Sequence, residues 1–163
     1  MSMSLRVIVP PHPLISHWLT ILRNPTTPEI LYATGLEQLG TWLTYEALRD
    51  WIPSKKEQIT TSTGTTECSI IDPNIPILAI PYLPAGLDLY RGARNLIPNS
   101  NLCIGGPPKE IEENAGIIFY IDQITTGKNL LRFGELFTRD VEIGRIDIYI
   151  GCLLYTSPSP RDS

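Results

Sequence analysis

Cysteine and histidine are scarce in this sequence. Its three cysteines, Cys68, Cys103 and Cys152, form no Cys-x-x-Cys pair. The odd count and wide spacing argue against a disulfide framework and read as free thiols in a reducing compartment. The two histidines, His12 and His17, lie near the N-terminus with no acid or nucleophile placed to complete a triad. No cysteine spacing makes them metal ligands either, so a structural role is expected. No apolar run is long enough to cross a bilayer. The opening "MSMSLRVIVPPHPL" carries neither a signal-peptide core nor an Arg/Ser-rich transit pattern. Excess positive charge is missing too, since 13 basic and 17 acidic side chains leave a net charge of −4. That excludes broad electrostatic adhesion to nucleic acid or anionic membrane, and the Lys55-Lys56 pair is too short to form such a patch. It does not exclude one small anion held by backbone amides.

What is present is an ordinary globular balance, with 42% hydrophobic and 18% charged residues over 163 positions. This suits one domain with a real core. Residues 12–23 read as a short helix after a proline-rich entry. Thr27-Pro28-Glu29 predicts a second helix, with Thr27 as N-cap and proline at the first turn. Leu36, Leu39, Leu43 and Ala47 fall on one face of it at spacings of three and four. Pro53 is expected to stop this helix soon after Trp51. Residues 54–74, rich in Thr, Ser and Lys, read as an exposed connection or β-arm.

Strands and helices then alternate. Residues 75–83 predict a strand of uneven quality because of internal prolines. Residues 85–97 predict a helix with Leu87, Tyr90, Ala93 or Arg94, and Ile97 in step. Residues 101–106 predict a short strand ending in a turn, and 107–115 a polar loop. The continuous apolar run 116–121 suits a strand inside a parallel sheet. A helix over 127–138 and a strand over 145–151 complete the series. The alternation implies βαβ units and a parallel α/β sheet behind two N-terminal helices. The last residues, "CLLYTSPSPRDS", break the pattern. They resemble a translated sequencing-adapter tail. The expectation is a single incomplete domain over 1–151, lacking its C-terminal part, and a non-native or disordered segment over 152–163.

Two further groups read as structural. Glu46, Arg49 and Asp50 form a solvated or subunit-facing charge set on one helix. Trp18, Trp42 and Trp51 suit core or interface better than a stacking platform.

The chemistry-bearing stretch is "GIIFYIDQITTGKNLL", residues 116–131. In a parallel α/β sheet, ligands bind beyond the carboxyl ends of strands, where a helix start offers unpaired N–H groups. Gly127 would let backbone approach a phosphate, and Thr125, Thr126 and Asn129 can donate side-chain hydrogen bonds. Asp122 could accept from ribose hydroxyls. A Walker loop is excluded, because Asp122 and Asn129 occupy its glycine and hydroxyl positions. The pattern by itself leaves a phosphate loop and a plain helix cap both open.

"DQITTGKNL" resembles the phosphoribosyl-diphosphate loop of type I phosphoribosyltransferases. "VPPHPLISHWLTILR", "LTYEALRD" and "IPYLPAGLDLYRGARNLIPN" resemble the uracil phosphoribosyltransferase family of cyanobacteria and plastids. The resemblance runs from about Leu5 to Ile150. It implies transfer of phosphoribose from phosphoribosyl diphosphate to uracil, giving UMP and pyrophosphate. It also implies Mg²⁺, a homo-oligomer, and a cytoplasmic enzyme, or a stromal one in an alga or plant. On this chain it places Asp122 as the catalytic position. The phosphoribosyl-diphosphate site becomes Asp122, Gln123, Ile124, Thr125, Thr126, Gly127, Lys128 and Asn129, with Ala85 and Gly86 in a pyrophosphate loop.

The departures concern charge. The family reads Leu-Arg-Ala-Gly where this chain has Leu83-Pro84-Ala85-Gly86, and the missing arginine would hold pyrophosphate. Arg91 and Arg94 follow in the helix and are expected to face solvent or a neighbouring acid. A second gripping arginine has no counterpart in "CIGGPPKEIEEN", and Lys128-Asn129 replaces Gly followed by Ser or Thr. The part that reads uracil edges is absent from the sequence, so no residue is assigned to uracil. The implied activity is accordingly impaired in this copy. The competing expectation is a non-catalytic, ligand-binding relative of the same fold.

Overall fold

The computed structural model describes residues 9–49, 52–112, 115–123, 128 and 148–153. Helix α1 spans Pro13–Arg23. The His12 ring nitrogen Nδ1 accepts the Leu14 amide at 3.2 Å and caps it. The same ring stacks on Trp42 with centroids 6.0 Å apart. His12 is therefore a cap and a packing group, which accounts for it structurally. Ile15 and Leu22 of α1 are buried against α2, Glu29–Ala47.

Pro28, not Thr27, is the N-cap of α2, and no side chain caps it. The Thr27 hydroxyl instead donates to the Ile21 carbonyl at 2.6 Å and ties the α1–α2 turn. The helix ends at Ala47, well before Pro53. Leu36 and Leu39 are fully buried, and Leu43 packs beside them, as the spacing predicts.

Strands β1, Ser54–Thr61, and β2, Gly64–Ile71, pair antiparallel as a hairpin separate from the main sheet. The expected β-arm is present. Almost every residue in it is exposed, and a Lys56–Glu67 pair at 2.8 Å lies on its surface.

The main sheet holds β3, Ile77–Pro81; β4, Ser100–Leu102; β5, Gly116–Gln123; and β6, Ile148–Leu153. Its order is β4-β3-β5-β6 and every pairing is parallel. The expected α/β class is borne out. The β3 strand is better than its prolines suggested. Pro76 precedes it and Pro81 ends it, so neither breaks a central ladder position, and all five residues are buried. Side chains alternate across β5. Ile118 and Tyr120 join Ile77 and Ala79 under the helices. Ile117, Phe119 and Ile121 join Leu78 and Ile80 on the other face, where Cys103 and Ile111 pack. That double burial explains the unbroken apolar run. Strand β6 continues through Leu153; residues 154–163 lie outside the described residues.

Helix α3 spans Ala85–Ala93. Its buried side carries Gly86, Leu89 and Ala93; of the expected line, Ala93 and Ile97 are buried, Tyr90 packs on the core and Leu87 is only half-buried. Glycines set how closely the helix packs. A β-carbon on Gly92 would overlap the Glu37 carbonyl of α2, and one on Gly40 would overlap the Leu89 carbonyl of α3. The Thr41 hydroxyl donates across the contact to the Gly92 carbonyl at 2.9 Å. Two backbones therefore meet where large residues would have kept them apart. Among the described residues, no helix is long and apolar enough to cross a membrane.

Candidate functional site

The chain leaves β3 toward β4 on one side, then returns past β3 to β5 and on to β6. The direction of travel thus reverses between β3 and β5. In open α/β sheets, such a reversal opens a crevice beyond the carboxyl ends of the two strands. A crevice at this switch point would be bounded by the turn from Tyr82 to Gly86 and by the end of β5 at Asp122 and Gln123.

Two backbone contacts join the walls. Pro81 pairs with Tyr120 in the ladder, and the Tyr82 amide donates to the Tyr120 carbonyl at 2.8 Å. The turn then closes on itself, with the Gly86 amide donating to the Tyr82 carbonyl at 2.8 Å. A cis peptide links Leu83 to Pro84 within it. Gly86 is buried with its α-carbon against the Tyr120 carbonyl, where a β-carbon would overlap the oxygen. Ala85 packs on the helical core.

At the other wall, the β5–β6 register shifts between Ile121 and Gln123. Ile121 pairs with Cys152 and Gln123 with Leu153, so Asp122 falls outside the regular ladder. Such bulges re-aim a side chain beside a site. Asp122 is half-buried, and Gln123 and Lys128 are exposed. Residues 124–127 and 129 lie outside the described residues, which leaves Ile124, Thr125, Thr126, Gly127 and Asn129 without a described position. The bulge had no signal in the sequence, because the partner strand sets the register.

Positive charge is sparse at the described part of the crevice. Pro84 is the N-cap of α3, and the 82–86 turn has no cationic side chain. Arg91 pairs with Asp88 at 2.8 Å, and Arg94 is exposed beyond the last turn. The Leu87 amide also donates internally, to the Pro84 carbonyl at 3.2 Å. Asp88 adds an acid in the first turn. The start of α3 therefore offers an anion less than helix starts usually do. Among the described residues, no group of three or more His, Cys, Asp or Glu could hold a metal ion.

Under the helices, the Thr44 hydroxyl meets the Tyr120 hydroxyl at 3.0 Å. Tyr90 sets its ring edge against Tyr120 with centroids 5.9 Å apart, and its hydroxyl lies 3.3 Å from Ser100 Oγ. Burial pushes the Tyr120 phenol well above its ordinary range; Thr44 opposes this and Tyr90 adds to it. Burial also raises the Cys103 thiol.

The uracil phosphoribosyltransferase family matches residues 9–120. The chain belongs to the uracil phosphoribosyltransferase family. The matched residues take in α1 to β4, the 82–86 turn and β5 as far as Tyr120. A uracil phosphoribosyltransferase of Synechocystis is 46% identical over 98 residues, which are 60% of this chain and 45% of that protein. One from Nostoc is 41% identical over 102 residues, 63% of this chain and 47% of the relative. One from Synechococcus elongatus is 33% identical over 147 residues, 80% of this chain and 68% of the relative. The chain thus spans about half the length of the first two of these family members. The solved structure of the AQ2163 protein from Aquifex aeolicus shares the fold, with a TM-score of 0.70 over 88% of this chain and 84% of that one, at 20% identity.

Proposed function

We propose that the crevice between β3 and β5 binds phosphoribosyl diphosphate, and that its chemistry is the family reaction with uracil, giving UMP and pyrophosphate. The observation that carries this is the family match over residues 9–120, which takes in α3 and β5 as far as Tyr120, beside a switch point where Asp122 stands outside the regular ladder. The 5′-phosphate would rest on the amides of residues 125–129, with Asp122 accepting from the ribose hydroxyls. Gln123 completes that wall, and Ala85 and Gly86 line the pyrophosphate side.

A Mg²⁺ ion suits these residues only when shared with a ligand. Asp122 supplies one carboxylate, and Mg²⁺ commonly takes one or two carboxylates together with substrate phosphates. The ion, when bound, would neutralise the diphosphate. The chain's own work is to hold ribose at Asp122 and to fix the turn that faces pyrophosphate. Phosphoribosyl transfer builds cationic character on the sugar and negative charge on the leaving group, so positioned charge decides its rate. Pro84 brings none, and Arg91 is engaged with Asp88. This copy is therefore a weak binder and a poor catalyst.

The reaction would run in a homo-oligomer, in the cytoplasm or in a plastid stroma. The Arabidopsis thaliana relative carries the name chloroplastic. The test is UMP formation from labelled uracil, Mg²⁺ and phosphoribosyl diphosphate, by the chain and by Pro84→Arg. UMP below detection from the chain, with tighter ligand binding in the variant, is the expected result. Robust turnover by the chain contradicts the impairment. Absence of binding by both contradicts the site.

A further inference from the structure

We propose that Gly86 and Tyr120 act as positioning residues that set the distance between the two walls of the crevice; the ligand named in the test rests on the reading just given. Among the described residues, Tyr120 is tied to both walls. Its carbonyl accepts the Tyr82 amide at 2.8 Å, and Asp122 stands two residues further along the same strand. Its hydroxyl, 3.0 Å from Thr44, pins that stretch of β5 to α2. Thr44 and Tyr120 are 2% and 1% exposed, so this anchor has no room to drift.

Gly86 supplies the other half. Its missing side chain lets the turn come down until the helix start lies on the Tyr120 carbonyl. The nearest atoms to an added methyl would be backbone of Tyr120 and Pro81, which cannot swing aside as a flexible side chain can. The turn would have to lift, pulling the Tyr82 amide off the Tyr120 carbonyl. Gly86 thus serves the ligand by what it lets the backbone do, and needs no contact of its own. Gly92 is the natural control. It meets a carbonyl just as closely, but on α2, away from the crevice.

The experiment compares the chain, Gly86→Ala, Gly92→Ala and Tyr120→Phe. Amide resonances are followed without ligand and during titration with phosphoribosyl diphosphate and Mg²⁺. Both glycine variants should melt earlier. Of the two glycine variants, Gly86→Ala alone should shift the Tyr82 and Asp122 amides together and raise the dissociation constant about tenfold or more, since a misplacement of about 1 Å can cost a site about a hundredfold. Gly92→Ala should hold it within about twofold. Tyr120→Phe adds no bulk and covers the case in which Gly86→Ala does not fold; it should move the same two amides by less. Gly86→Ala or Tyr120→Phe leaving those amides in place overturns the proposal, as does equal weakening of binding by Gly92→Ala. Coupled amide shifts without any titration in the unsubstituted chain would support the positioning role and overturn the phosphoribosyl reading instead.

Discussion

The hydroxyls of Thr44 and Tyr120 meet at 3.0 Å across 76 positions of sequence, buried between α2 and the sheet. Each satisfies the other, and no buried side-chain polar atom among the described residues lacks a partner. Thr44→Val leaves a phenol without its partner, and Tyr120→Phe strands a threonine hydroxyl. Each should cost about 1–3 kcal/mol, with the double variant closer to either single than to their sum. A double-mutant cycle by denaturant melts measures this. Additive losses would show that the pair is not coupled.

The same phenol gives the fold a defined alkaline limit. Burial raises its pKa above the unfolded value of about 10. The unfolded chain therefore loses this proton first. The stabilisation is fully present below about pH 10 and is lost as pH rises further, toward the folded value. Melts from pH 8 to 12 should show the chain losing stability relative to Tyr120→Phe above about pH 10. Parallel curves would contradict the burial.

Gly40→Ala and Gly92→Ala should each destabilise by about 1–3 kcal/mol, since a methyl meets backbone and the helices must part. Helix propensity alone predicts the opposite, a gain of up to about 1 kcal/mol. Thermal melts separate the two by sign.

That contrast shows what the sequence could tell. The parallel sheet was readable because β5 is an apolar run buried on both faces, and Leu36 and Leu39 announced the inner face of α2. The close seat of α3 was not readable, because it runs through Gly86 and Gly92, which carry no hydrophobic signal. Thr27 seemed a cap by its place before Pro28, yet a carbonyl in the preceding helix claimed its hydroxyl. At the site, Asp122 stood out as the lone acid at a strand end. The bulge that frees it and the carbonyl that seats the 82–86 turn depend on partners distant in sequence.

Pro84→Arg should tighten phosphoribosyl diphosphate by about tenfold or more, the worth of one charge-assisted hydrogen bond of roughly 1.5–3 kcal/mol. Calorimetry at low and high salt reads it, and the gain should shrink as salt screens the charge. No change at low salt would show that the 82–86 turn does not face the diphosphate.

Phosphoribosyl diphosphate binding at this site is decided by a titration of the chain and of Gly127→Val with phosphoribosyl diphosphate and Mg²⁺, followed by calorimetry and at the amides of Asp122 and Gln123. Weak, saturable binding that moves both amides and vanishes in the variant is expected, because a side chain at 127 keeps backbone from a phosphate. Binding that survives Gly127→Val unchanged, or that leaves Asp122 and Gln123 unmoved, would contradict it.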